Sequence, residues 1–92
     1  MHVIVCYDIP VDSRRTRLHK RLAGFLSPVQ RSVFEGALEP ARLNPLLATI
    51  RKTIDPRKDD VRIYLLCKSC TASTLLLGIA RPIEEKKGPI VV

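Results

Sequence analysis

Asp8 is the first residue in this chain able to do chemistry. It ends the apolar run "VIVCYDIP" at residues 3–10, directly after Tyr7 and two positions before Pro10. No second acid, histidine or glycine loop accompanies it, and a single carboxylate is a poor engine for catalysis. Two readings stand at this point. Asp8 solvates the strand end or caps the next helix, or it is one ligand of a metal ion completed from elsewhere. Mg²⁺ suits the second reading, because it binds through one or two carboxylates, keeps several waters and takes phosphate oxygens as its remaining ligands. Such an ion stabilises charge on a phosphodiester. One aspartate per chain is thin for this, whereas two related by a two-fold axis suffice.

The other candidate groups carry less. Cys67 and Cys70 form a CxxC, with Cys6 far away. Structural zinc wants four tetrahedral ligands, usually two such pairs. A redox motif of the thioredoxin kind opens a helix after a first strand, and this pair follows a late one. Reduced, structural cysteines are the expectation. An odd count with one cysteine inside a strand pattern fits a reducing cytoplasm rather than a secreted disulfide framework. His2 reads as a strand start and His19 as bordering a helix surface, neither with an acid or nucleophile at matching spacing. The chain has no GxGxxG, P-loop, GxSxG or HExxH, which disfavours dinucleotide binding, nucleotide hydrolysis and triad catalysis.

Charge is more informative. Sixteen Lys and Arg stand against nine Asp and Glu, a net +7. The block from Ser13 to Phe34 has no acid but contains Arg14, Arg15, Arg17, Lys20, Arg21 and Arg31. A merely solvated face mixes signs, so this block reads as a surface for a polyanion, nucleic acid first and membrane surface second. No window approaches the roughly 18 apolar residues needed for a membrane span. The N-terminus reads directly as a strand rather than a secretion signal. The expectation is a cytoplasmic protein.

The elements that must position these groups follow from periodicity. Residues 2–8 form a short central strand. Asp12 or Ser13 is placed to cap a helix over "SRRTRLHKRLAGFL", with Leu18, Leu22, Phe25 and Leu26 on one arc. Arg15 lies on that arc at the first turn and projects back towards the loop after Asp8; Arg17, Lys20 and Arg21 lie outward. "VQRSVFEGALE" reads as two strand segments joined near Gly36, with Ser32 and Phe34 on one face and Phe34 more often core than a stacking platform. Pro40 opens a second helix with an apolar stripe of Leu43, Leu46, Leu47, Ile50 and Ile54, which tolerates Pro45 only near its start. "VRIYLL" at 61–66 is a strand, "CKSCTAST" a polar linker, and "LLLG" at 75–78 a further short strand. The order specifies an α+β, ferredoxin-like βαββαβ domain over 1–80 with an extra C-terminal strand. The charged end, 81–92, is expected to be mobile or to pair with a partner. Helices on one face leave the other face of the sheet in need of a cover.

Three segments, "VCYDIPVDSRRTRLHKRL", "PVQRSVFEGAL" and "DDVRIYLLC", occur in an order and spacing that resembles the small CRISPR-associated protein of the spacer-acquisition machinery, the Cas-two family. The likeness runs from Val3 to about Gly78. It implies a ferredoxin-like homodimer in which each C-terminal strand extends the partner's sheet. It also implies Asp8 as the Mg²⁺-binding carboxylate facing its own copy, with Tyr7 flanking it in the catalytic centre. Arg15 and Arg17, beside Arg14 of the basic block, are implied to grip nucleic-acid backbone, and Arg31, Ser32 and Phe34 to line the same cleft. The implied activities are metal-dependent endonuclease, on single-stranded RNA or duplex DNA, and bridging of CRISPR integrase subunits during spacer acquisition. A scaffold without catalysis is the alternative. A small-ligand regulatory domain is a third reading, disfavoured by the acid-free basic block.

Overall fold

The computed structural model describes residues 1–80 and 90–91 of the 92-residue chain. The chain order is β1 (His2–Asp8), α1 (Asp12–Leu22), β2 (Ser27–Gln30), β3 (Val33–Ala37), α2 (Pro40–Thr53), β4 (Asp60–Leu66), α3 (Lys68–Ala72), β5 (Leu75–Leu76) and β6 (Ile90–Val91). Four strands form an antiparallel sheet in the order β2-β3-β1-β4, so the fold is mixed α/β.

Alternation in β1 explains the layering. Val3, Val5 and Tyr7 are buried, whereas His2, Ile4 and Cys6 on the opposite face are half-buried and Asp8 is exposed. The buried face packs with Leu18 and Leu22 of α1, Phe34 of β3 and Leu46 and Ile50 of α2 in one aliphatic core. The core is built at helical spacing on one side and strand spacing on the other. The reverse face carries His2, Ile4, Cys6 and Val33, with Arg62, Tyr64 and Leu66 beside them on β4, and among the described residues it stays partly open, with Tyr64 exposed.

Several expectations are corrected. Helix α1 begins after Val11, and neither Asp12 nor Ser13 caps it; Asp12 sits in the first turn, where its negative charge is favourable beside the helix dipole's positive end. The helix stops at Leu22, so Phe25 and Leu26 reach the core from the connection rather than from a fourth turn. The hairpin turn lies at Arg31–Ser32 and not at Gly36: Gln30 pairs with Val33 across it, and Gly36 is an interior residue of β3. Pro28 sits in β2, an edge strand, where its missing N–H costs no ladder bond. Helix α2 starts on Pro40 as expected and tolerates Pro45 in its second turn; Ile54 caps its end. The "CKSCTAST" linker contains the helix α3. The short strand expected at 75–78 is reduced to Leu75–Leu76, paired in parallel with Ile90–Val91 in a separate two-stranded sheet. The rest of the 81–92 tail lies outside the described residues. No described helix is long and apolar enough to cross a membrane.

Candidate functional site

The carboxyl end of β1 opens into a cleft of about 610 Å³ lined by Tyr7, Asp8, Ile9, Arg15, Thr16, His19, Lys20, Arg31 and Ser32. Three elements converge there: the end of β1, the first two turns of α1 and the β2–β3 turn. The turn is tied to β1 by a backbone hydrogen bond from the Tyr7 N–H to the Ser32 carbonyl, 3.0 Å. This bond carries Arg31 and Ser32 to the strand that holds Asp8, although some twenty residues separate them in sequence.

Tyr7 organises the wall. Its ring is only 5% exposed and stacks with Phe34 at 6.4 Å between centroids. Its hydroxyl reaches the His19 Nδ1 at 3.3 Å and the Arg31 carbonyl at 3.4 Å. The His19 ring in turn meets the edge of Phe34 at 4.9 Å. Burial raises the Tyr7 phenol above its ordinary value, with the nearby Arg15 charge pulling the other way. It is therefore a neutral hydrogen-bonding group at physiological pH. His19, read from sequence as a surface border, proves to be a wall of the cleft. Its signal was the i, i+4 relation to Arg15 on α1, which places both on one side of the helix.

Arg15 projects from the first turn as expected. Its Nη1 donates to the Ile9 carbonyl at 3.0 Å, and its Nη2 donates to Asp12. The guanidinium thus staples the loop that follows Asp8 while presenting charge to the cleft. Lys20 and Arg31 line the same space and make no salt bridge among the described residues. Arg17 is exposed on α1 outside the cleft lining.

Two residues assigned to nucleic acid from sequence do other work. Arg14 is committed to Asp59, with its Nε and Nη2 donating to the two carboxylate oxygens at 2.8 and 2.9 Å. Phe34 has 0% exposure and is part of the core, so it supports the cleft from behind and offers no face to a base. Both engagements have one cause: a long-range partner, Asp59 for Arg14 and the shared core for Phe34, that spacing alone does not reveal. Ser32, expected on a strand, lies in the turn and lines the cleft.

Asp8 is exposed. Its cross-strand partner in the ladder is Asp60 on β4, and directly opposed residues share a face. One protomer therefore sets a second carboxylate beside Asp8, and Asp60 also faces the Arg62 guanidinium at 3.5 Å. The described residues contain no group of three or more His, Cys, Asp or Glu side chains able to enclose a metal ion. Asp8 with Asp60 suits a cation shared with phosphate and water, and it does not suit a closed structural site.

Residues 1–74 match the family model described as CRISPR associated protein Cas2. The chain belongs to the Cas2 family. It is 39% identical over 79 residues to the "CRISPR-associated endoribonuclease Cas2 3" of Chloroflexus aurantiacus, covering 86% of this chain and 85% of that one. It is 38% identical over 86 residues to the "CRISPR-associated endoribonuclease Cas2" of Pyrococcus furiosus, covering 92% of this chain and 98% of that one. Among solved structures, Streptococcus pyogenes Cas2 at pH 6.5 superposes with a TM-score of 0.73 at 30% identity, over 85% of this chain and 100% of that chain. The Cas2 match ends at Thr74, so it contains every cleft residue and stops short of β5.

Proposed function

We propose that this Cas2-family protein is a nucleic-acid-binding homodimer of CRISPR adaptation that hydrolyses phosphodiester bonds with Mg²⁺ held at Asp8. The observation that carries the reading is the cleft itself: an exposed carboxylate at a strand end, ringed by Arg15, Lys20 and Arg31. Phosphate charge is met by the cations, and the one acid among them has no structural task in the described residues.

The sheet order 4-1-3-2 with helices after β1 and β3 supports a ferredoxin-like domain. Its partly open face supports the homodimer, because a 92-residue chain buries too little surface alone to leave a sheet face open without cost. In such a dimer, Asp8 of each protomer and its neighbour Asp60 would hold the ion. Bound Mg²⁺ supplies Lewis acidity and charge neutralisation at the phosphate. The chain's own residues do the rest. As water adds to phosphorus and a bridging P–O bond breaks, negative charge grows on the phosphate oxygens, and Arg15 and Arg31 stabilise it. The Tyr7 hydroxyl fixes His19 and the Arg31 backbone so that the wall keeps its shape. Lys20 extends the positive track along the strand being bound.

The relatives named endoribonucleases support RNA as a substrate class. The scaffold reading, in which the dimer bridges integrase subunits without cleavage, uses the same basic cleft to hold nucleic acid. Incubation of purified wild type and Asp8→Asn with labelled single-stranded RNA and duplex DNA, with Mg²⁺ or with chelator, separates the two. Cleavage that needs both Asp8 and Mg²⁺ supports the enzyme. Cleavage absent from both proteins, with nucleic-acid binding intact, leaves the scaffold.

A further inference from the structure

The CxxC dismissed on sequence grounds looks different in the fold. Cys67 and Cys70 are both exposed, so neither is a structural core thiol. Cys67 is the residue immediately before α3, with extended backbone (φ −78°, ψ 172°), and Cys70 lies one turn later. Positions three apart across a helix start are neighbours, because the side chain of the first reaches back over the backbone of the other. The Cys67 sulfur lies 3.1 Å from the Ser69 hydroxyl oxygen.

We propose that Cys67 and Cys70 form a reversible dithiol–disulfide site that exchanges with small disulfides of the glutathione class, Cys67 being the attacking thiol and Cys70 the resolving one. The Cys67 thiolate attacks one sulfur of oxidised glutathione, a Cys67–glutathione bond forms, and one glutathione thiolate leaves. Cys70 then loses its proton and attacks the Cys67 sulfur, closing the intramolecular disulfide and releasing the second glutathione. Two protein thiols are oxidised and one disulfide is reduced to two thiols, so the electrons balance without a further reactant.

The two thiols are unequal in the manner this order requires. Hydrogen bonds from Ser69 and then from Cys70 lower the Cys67 thiol to about 7, whereas its own link to Cys67 raises Cys70. Cys6 is half-buried in β1 and takes no part. The site lies where the chain leaves β4, the edge of the main sheet, for β5. Closing the disulfide ties the first turn of α3 to the end of β4 and fixes that exit.

The test uses the full-length protein equilibrated in buffers of graded reduced-to-oxidised glutathione ratio, quenched in acid, labelled with a maleimide and weighed with peptide mapping. Wild type is expected to lose two labels together, from Cys67 and Cys70, while Cys6 stays reduced. Cys70→Ser is expected to stop at one glutathione on Cys67, and Cys67→Ser to form neither disulfide nor ready adduct. At pH 7, brief alkylation should modify Cys67 clearly faster than Cys70, because the thiolate is favoured at the first and disfavoured at the second. α3 is exposed, so both serine variants should keep the wild-type circular dichroism. The proposal is overturned by a wild type that stays fully reduced across the series, by a disulfide through Cys6, or by equal adduct formation in the two serine variants.

Discussion

Arg14 and Asp59 are joined by two parallel hydrogen bonds, 2.8 and 2.9 Å, across 45 residues of sequence. The Asp59 side chain has no exposed surface and also accepts the Asp55 backbone N–H at 2.8 Å. This pair pins the start of α1 to the turn that leads into β4, which are the two segments that flank the Asp8–Asp60 rung.

Breaking the pair by Asp59→Asn or Arg14→Ala should therefore lower thermal stability, by roughly 4–8 °C or more on the scale of a small domain, and loosen the cleft. The Arg14 hydrogen bonds hold the Asp59 carboxyl below its ordinary value. A depressed acid contributes stability above its unfolded value near 4 that disappears as pH falls through the lower folded value. Melting temperatures recorded from pH 7 down to pH 2 should decline more steeply in wild type than in Asp59→Asn. Parallel curves would remove the pair from the account.

Asp8→Asn should leave melting temperature unchanged and nucleic-acid affinity within about twofold of wild type, because the side chain is exposed and bonds to nothing in the core. Any metal-dependent cleavage should fall by on the order of 100-fold or more, since loss of a single charge-stabilising group costs that much in comparable sites. Asp60→Asn should weaken the Mg²⁺ dependence as well, read as a higher metal concentration for half-maximal cleavage. An unchanged requirement would assign Asp60 to Arg62 alone.

Lys20 and Arg31 have no carboxylate partner among the described residues. Replacing both by alanine should weaken binding to all nucleic-acid sequences alike. It should also flatten the dependence of log K on log salt by about 2, one for each lost phosphate contact. Arg14→Ala, by contrast, should leave that slope as it is. Fluorescence anisotropy at graded NaCl reads both.

Phe34→Ala removes a fully enclosed ring that supports Tyr7 and His19. A loss of about 3–5 kcal/mol is expected for a core phenylalanine, measurable by urea denaturation. Phe34→Leu should recover most of the stability. A role in base stacking would show the reverse pattern, with affinity lost and stability kept.

Much of the site was legible in the chain itself. The apolar run before Asp8, the first-turn position of Arg15 and the acid-free basic block are local or periodic features, and local features survive into the fold. The wheel that aimed Arg15 at the loop after Asp8 is matched by its bond to the Ile9 carbonyl. The Arg31–Ser32 hairpin was misplaced because two-residue turns are usually advertised by Asn-Gly or Asp-Gly, and this one carries neither, whereas Gly36 inside β3 imitates a turn. The Arg14–Asp59 pairing and the contact of His19 with the Tyr7 hydroxyl were hidden for a different reason. Their partners, Asp59 and Tyr7, come from other elements.

Sequence alone thus determined the presence of the two longer helices and of the main strands, most of their buried stripes, the sign of the surface and the family. Those depend on spacing, hydrophobic periodicity and net charge, which are properties of neighbouring residues. Tertiary structure decided which of several equivalent cations stand without a carboxylate partner among the described residues, that Asp8 has Asp60 as its cross-strand neighbour, and that Cys67 and Cys70 are exposed at a helix start. Strand register and element packing set those relationships. They follow from the burial of one shared core, and no stretch of the chain contains them by itself.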